Sequence, residues 1–249
     1  MNDSMNSNTR GAKACAWSLR LAATGAVFTV IGLVGSRSGL MPMLTMLLLT
    51  FGSLAFIIGG ICGATGLIRG RNNSNLPTGM AWGAVALAIV AIVNTGTMMG
   101  GGGAPIHDIS TDTTNPPEFV AIVKLRGPDD NPAEYAGPES AELQAEAYPD
   151  IETLVLLDPR ALVFTTALEV VDEMGWELVD SNAAEGRIEA TATTPFVGFK
   201  DDIVIRVSAK SAETHVDIRS KSRIGKGDMG VNAKRIREFS AKLIEAVAP

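Results

Sequence analysis

The 249-residue chain is 46% hydrophobic, has two cysteines and carries a formal net charge of −6. That acidity excludes the broad positive field nucleic-acid binding requires, and two cysteines exclude a disulfide-built scaffold. The averages conceal two unlike halves: residues 1–103 hold six basic residues and one acidic, residues 104–249 fifteen basic and twenty-six acidic.

Three apolar runs dominate the first half, at 14–34, 44–67 and 80–98. Each approximates the ~20 residues a helix needs to cross the hydrocarbon layer. None contains Asp or Glu, and the single charge, Arg20, lies near the start of the first run, where its stem reaches the interface. Trp17 and Trp82 lie near run ends, as interfacial anchors do. A cleavable signal peptide is the competing reading of the first run, but two further runs follow and no Ala-x-Ala-like site stands near Gly35–Gly39. The sequence predicts a three-span anchor over residues 1–99.

Lys and Arg set its orientation. Arg10, Lys13 and Arg20 precede or open the first span and Arg69 and Arg71 follow the second, against Arg37 alone between them. The positive-inside rule places the N-terminus in the cytoplasm and exports the acidic half, to the periplasm of a Gram-negative cell. The protein is thus expected to be multi-pass in the inner, cytoplasmic membrane. The second run carries Gly59 and Gly63 at the spacing that lets helices approach closely, with packing inside the chain's own bundle favoured over self-association. No span carries an acid or histidine suited to moving ions or protons.

Residues 100–117, GGGGAPIHDISTDTTNPP, read as a Gly-rich and polar linker, with 118–249 as the exported domain. Residues 118–125 (EFVAIVKL) read as a strand and 127–150 as a long acidic loop. Asp158-Pro159 is a helix start. Leu162, Phe164, Ala167, Leu168, Val171 and Met174 form its apolar stripe, and Gly175 stops it. Strands follow at 176–180, 187–193, 201–208 and 214–224, then a helix at 231–247 with Ile236, Phe239, Leu243 and Val247 on one side. Alternation puts Ile188, Ala190, Ala192, Ile203, Ile205, Val207, Val216 and Ile218 on one face. The opposite face shows Arg187, Glu189, Arg206, Asp217, Arg219, Lys221 and Arg223. The fold class is α+β, a two-layer domain with two helices on one face of an antiparallel sheet.

Three separated motifs, PIHDISTD, DDIVIR at 201–206 and DIRSKSRIGKGDMGVNAKRIR at 217–237, together resemble the family catalogued as domain of unknown function 1499. The resemblance covers most of residues 104–249. It implies the fold and a membrane-associated setting, and it implies no activity, so no catalytic residue is carried over.

The 217–237 stretch holds seven basic residues against two acidic. Two readings fit it: cross-strand ion pairs on a solvated face, or an anion-binding surface. On the second, Arg206, Arg219, Lys221 and Arg223 converge with Lys226, Asn232 and Arg235 where Gly225, Gly227 and Gly230 lead into a helix N-terminus. No Walker A pattern is present. His107 and Asp108 are weak candidates for acid–base chemistry on an anionic substrate. A metal site lacks ligands, since His215 is the only other histidine, and no cofactor is implied. The expected function is an envelope binding or assembly factor for an anionic ligand, a lipid headgroup or an acidic protein. A periplasmic enzyme is the alternative.

Overall fold

The computed structural model describes residues 2–38, 40–70, 78–99, 103–195 and 197–248. Arg71 and the glycines 100–102, which entered the orientation and linker readings, lie outside the described residues. The chain divides near Gly100 into two compact units.

The first unit holds α1 (Asn2–Arg37), α2 (Pro42–Arg69) and α3 (Thr78–Met99). The small residues of α2 are the contact surface. A side chain at Gly52 would meet Gly25 and Thr29 of α1, and one at Gly59 would meet Ser18 and Leu21. On the other side, Gly60 lies against Ala84 and Ala88 of α3, and Gly63 against Ala81. Both neighbours therefore run antiparallel to α2, and Gly59 and Gly63 are used within the chain, on different partners. Large side chains point the other way: Leu47, Phe51, Ile61, Trp82, Val90 and Val93 are exposed, while Cys15, Ser18, Thr45, Ala55, Ala81 and Ala88 are buried. By length and composition, α1 over Thr9–Arg37 and α2 over Pro42–Arg69 are long and apolar enough to cross a membrane. The apolar stretch of α3, Thr78–Val93, is shorter, so two candidate spans stand where the sequence suggested three.

The second unit is an α+β domain. Its strands are β1 (Asp108–Ser110), β2 (Leu154–Leu156), β3 (Glu177–Asn182), β4 (Arg187–Thr193), β5 (Lys200–Lys210) and β6 (Glu213–Ser222). All pair antiparallel, in the order β1-β6-β5-β4-β3, with β2 sharing the free side of β6 with β1. Helices α5 (Arg160–Glu173) and α6 (Val231–Val247) cover one face. The alternation read from the sequence holds: Ile188, Ala190, Ile203, Ile205, Val207, Val216 and Ile218 join Val163, Phe164, Ala167, Ile236, Phe239 and Leu243 in one core. Trp176 stacks on Phe239 at 5.6 Å between ring centres.

Four local expectations need correction. The stretch at 118–125 forms a short 3-10 helix, Ile122–Leu125, instead of a strand. Three of its backbone N–H groups are claimed by a single carboxylate rather than a neighbouring strand, as described below. The acidic segment at 127–150 contains α4 (Pro138–Ala147), whose proline occupies the first turn, where its missing N–H costs nothing. Helix α5 starts after Pro159 without a side-chain cap, and its buried stripe includes Val163 and Val170 while Leu162 stays exposed. Lastly, PIHDISTD is no surface linker: Asp108, Ile109 and Ser110 are wholly buried in β1.

Candidate functional site: a buried ion-pair layer

Period-2 geometry separates neighbouring charges onto opposite faces of the sheet. In β5, Asp201 faces the helices and Asp202 the other side; in β6, Asp217, Arg219 and Lys221 share the side of Asp202 while Ser220 and Ser222 face α6. All the charges predicted to lie opposite the helices do so. Glu189, Asp217, Arg219, Lys221 and Arg223 are not, however, open to solvent.

Residues 111–137 cross that face and close it. Phe119 and Ile122 pack on Val204, with Ala133 and Val179 beside them. Glu189, 0% exposed, accepts from the backbone N–H groups of Val120, Ala121 and Ile122 at 3.0, 3.1 and 2.9 Å. Those are the free donors at the start of a helical turn, where a carboxylate is favoured. Arg187 also donates to Glu189 and to Asp180.

At the centre, the Nε and Nη2 groups of Arg219 both donate to Asp108 at 2.8 Å. The Nζ of Lys221 donates to the same carboxylate at 3.0 Å. Further donors of both cations reach carbonyls of the covering segment: Pro117 and Ala133 for Arg219, Glu134 for Lys221. The Phe119 and Tyr135 rings flank the Arg219 guanidinium at 4.9 and 5.4 Å. Burial pushes the Lys221 ammonium below its ordinary value, opposed by the Asp108 carboxylate. Burial beside Asp108 pushes the Tyr135 hydroxyl up to about 12.

The same logic recurs on both sides of the sheet. Arg223 grips Asp202 at 2.8 Å and Arg126 adds a second cation at 2.9 Å. Arg206 pairs with Asp217 at 2.7 Å and Asp112 at 3.0 Å, its side chain 27% exposed. On the helix side, Arg235 pairs with Asp201 at 2.7 Å. Asn232 accepts from Ser220 and donates to Ser222 and the His107 carbonyl.

The predicted outward cationic patch is therefore an internal layer. Arg219, Lys221, Arg223 and Arg235 are buried and paired, Asn232 is buried and fully bonded, Arg206 is partly exposed, and Lys226 alone of the seven is exposed. Desolvation of so many charges is tolerable because each cation meets a carboxylate, shared by two cations at Asp108 and at Asp202, and further donors reach backbone carbonyls. Sequence reasoning missed the partners: Asp108, Asp201 and Asp202 stood in the motifs, but only the fold carries Asp108 back from over a hundred residues away. His107 is half-buried, and burial with Lys221 nearby pushes its imidazole below the ordinary range. Among the described residues no three His, Cys, Asp or Glu side chains converge as metal ligands. An open cleft of about 420 Å³ lies between Asn115–Glu118, Glu185, Arg187 and Arg206.

An α+β domain closed by paired charges, behind a glycine-packed helical unit, is the class these features define. Residues 108–243, more than half of the chain, match the family described as Protein of unknown function (DUF1499), and the chain belongs to it. The match begins at Asp108, the carboxylate at the centre of the buried layer. Comparison with curated proteins gives no match.

Proposed function

We propose that the protein is a three-pass membrane-anchored module whose C-terminal domain stands on the side of the membrane away from the N-terminus. There it acts as an envelope binding or assembly factor for an anionic surface. The observation that carries this reading is the inverted helical unit, with small residues inside and large aliphatics outside. Such a surface in water would be one large apolar patch; in lipid it is the ordinary arrangement. Helix α3 shares it, packed on Gly60 and Gly63, and its 22 residues give about 33 Å of helix at ~1.5 Å each. The excess of Lys and Arg beside the ends of α1 and α2 that share a side supports a cytoplasmic N-terminus.

For the domain, binding is favoured over catalysis because Asp108 is saturated by two buried cations. Using it as an acid or base would require breaking that arrangement at each turnover. Of the seven residues read as the anion-binding surface, Lys226 is exposed and Arg206 partly so. Reporter fusions after Ala248 test the placement: an active alkaline phosphatase and a dark cytoplasmic fluorescent protein are expected, and the reverse pair contradicts the reading. Photo-crosslinking from position 226 in intact cells tests the binding; adducts to an anionic lipid or acidic protein support it, and their absence removes it.

A further inference from the structure

We propose that the helical unit holds one anionic phospholipid in the groove between α2 and α3, with an acyl chain against Trp82 and the phosphate among Arg69, Arg10 and Lys13. This rests on the anchored part of the reading above and not on the binding role of the soluble domain. The groove is open, has a volume of about 340 Å³ and is lined by Ala64, Leu67 and Ile68 of α2 and Trp82 and Val85 of α3. It flanks the closest approach of the two helices, where a side chain at Gly63 would strike the Ala81 backbone. Ala81 turns inward and packs with Leu67 and with Cys15 of α1. Its neighbour Trp82 turns outward, 63% exposed, as does Ile68 at 73%. A side chain at Gly79 or Gly83 would touch none of the described residues, so this side of α3 is left bare.

Position along the helices decides which part of a lipid fits. Ala64 stands five residues before Arg69 and Trp82 four after Thr78, distances of about 8 and 6 Å at the α-helical rise. The groove therefore lies just inside one end of the unit. An indole belongs at that depth, level with the headgroups, and the first methylenes of an acyl chain begin there.

Charge selects the lipid. Arg69 follows Ile68 directly, and the packing of Cys15 on Leu67 and Ala81 brings the preceding turn of α1 to the same end. There a side chain at Gly11 would meet Gly70. Arg10, Lys13 and Arg69 are all exposed. Residues 4–107 contain no Asp or Glu, and Asp3 stands seven residues beyond Arg10, about 10 Å further along the helix. A cationic rim with no acid beside it, above an apolar groove, matches an anionic headgroup and its chain. A second copy fits less well. Inserted in the same orientation, it would bring its own Arg10, Lys13 and Arg69 to the same level, like charge against like.

The full chain, purified in detergent, is exposed to equimolar phosphatidylglycerol and phosphatidylcholine and weighed by native mass spectrometry. One retained phosphatidylglycerol per chain, several-fold more abundant than retained phosphatidylcholine, is the expected result. Ala64→Phe, which fills the groove, should remove the adduct. Arg10→Gln, Lys13→Gln and Arg69→Gln together should erase the preference between the two lipids. No retained lipid, equal retention of both, or an adduct untouched by Ala64→Phe overturns the proposal. A dimer that Ala64→Phe dissolves also overturns it, by seating a second copy in the groove. A second readout leaves the groove unaltered: with Trp17→Phe and Trp176→Phe, Trp82 is the remaining tryptophan. Acyl-brominated phosphatidylglycerol should quench it at a several-fold lower mole fraction than brominated phosphatidylcholine, and equal quenching overturns the headgroup assignment. Release of the chain from membranes by alkaline carbonate removes the anchored reading itself, a separate outcome.

Discussion

Asp108 and Arg219 meet through two parallel hydrogen bonds of 2.8 Å, with both side chains at or below 2% exposure. They are 111 positions apart in the chain, so this contact closes the domain: it joins β1 to β6. Lys221 makes Asp108 a three-way junction. The junction is electrically lopsided, with two cations on one carboxylate, and the covering carbonyls of Pro117, Ala133 and Glu134 absorb the excess.

Removing Asp108 leaves two buried cations without their carboxylate. Asp108→Ala should destabilise the domain by about 3–5 kcal/mol, the range for breaking a buried pair on one side. By contrast, Arg237→Ala removes an exposed pair with Asp150 and should cost under about 1 kcal/mol. Chemical denaturation of the detergent-solubilised chain, followed through the buried Trp176, measures both; comparable losses would contradict the account.

Glu189 fixes the covering segment by a different device. Glu189→Ala removes the acceptor shared by Val120, Ala121 and Ile122, each bond to a charged group being worth about 1.5–3 kcal/mol. Amide exchange at those three positions should accelerate at least roughly tenfold while exchange in β5 and β6 changes little. Unchanged protection of Val120–Ile122 would show that Phe119 and Ile122 packing holds the segment without it.

The parts of this arrangement differ sharply in how legible they were. Strands β4, β5 and β6 and helix α6 are governed by local periodicity, so the sequence locates them within a residue or two, and it assigns Arg206, Arg219 and Lys221 to the correct face. What periodicity cannot report is whether a charged face meets water or another segment. Residues 118–125 alternate well enough for a strand, yet Glu189 captures their N–H groups and winds them into a helical turn. In the sequence Asp108 reads as part of a polar linker because its partners lie on a strand far along the chain. Ion pairing on a solvated face is the first reading of those charges in the sequence; its burial was the element that required the fold.

Acid should weaken the domain through His107. Burial holds its folded-state imidazole below the ordinary value, so as pH falls through about 6.5 the unfolded chain takes the proton first and stability drops. Above that value both states are neutral and the contribution vanishes. The denaturation midpoint should decline between about pH 7 and pH 5, and His107→Gln should flatten part of that decline. An identical profile in the variant would dismiss the effect.

Base acts through Tyr135. With its hydroxyl pushed up to about 12, the unfolded chain ionises first as pH rises above about 10, and stability is lost in that interval. The difference in 295 nm absorbance between the parent chain and Tyr135→Phe should show a tyrosine titrating near the upper value; ionisation near 10 in the folded state would contradict its burial beside Asp108.

The central claim is that the basic residues of β6, Arg219 and Lys221, are internal whereas Lys226, beyond the end of the strand, is exposed. Timed acetylation of the folded, detergent-solubilised chain, read by mass spectrometry, tests this directly. Lys226, Lys200 and Lys234 should react early and Lys221 only on unfolding; labelling of Lys221 at the rate of Lys226 would contradict the claim.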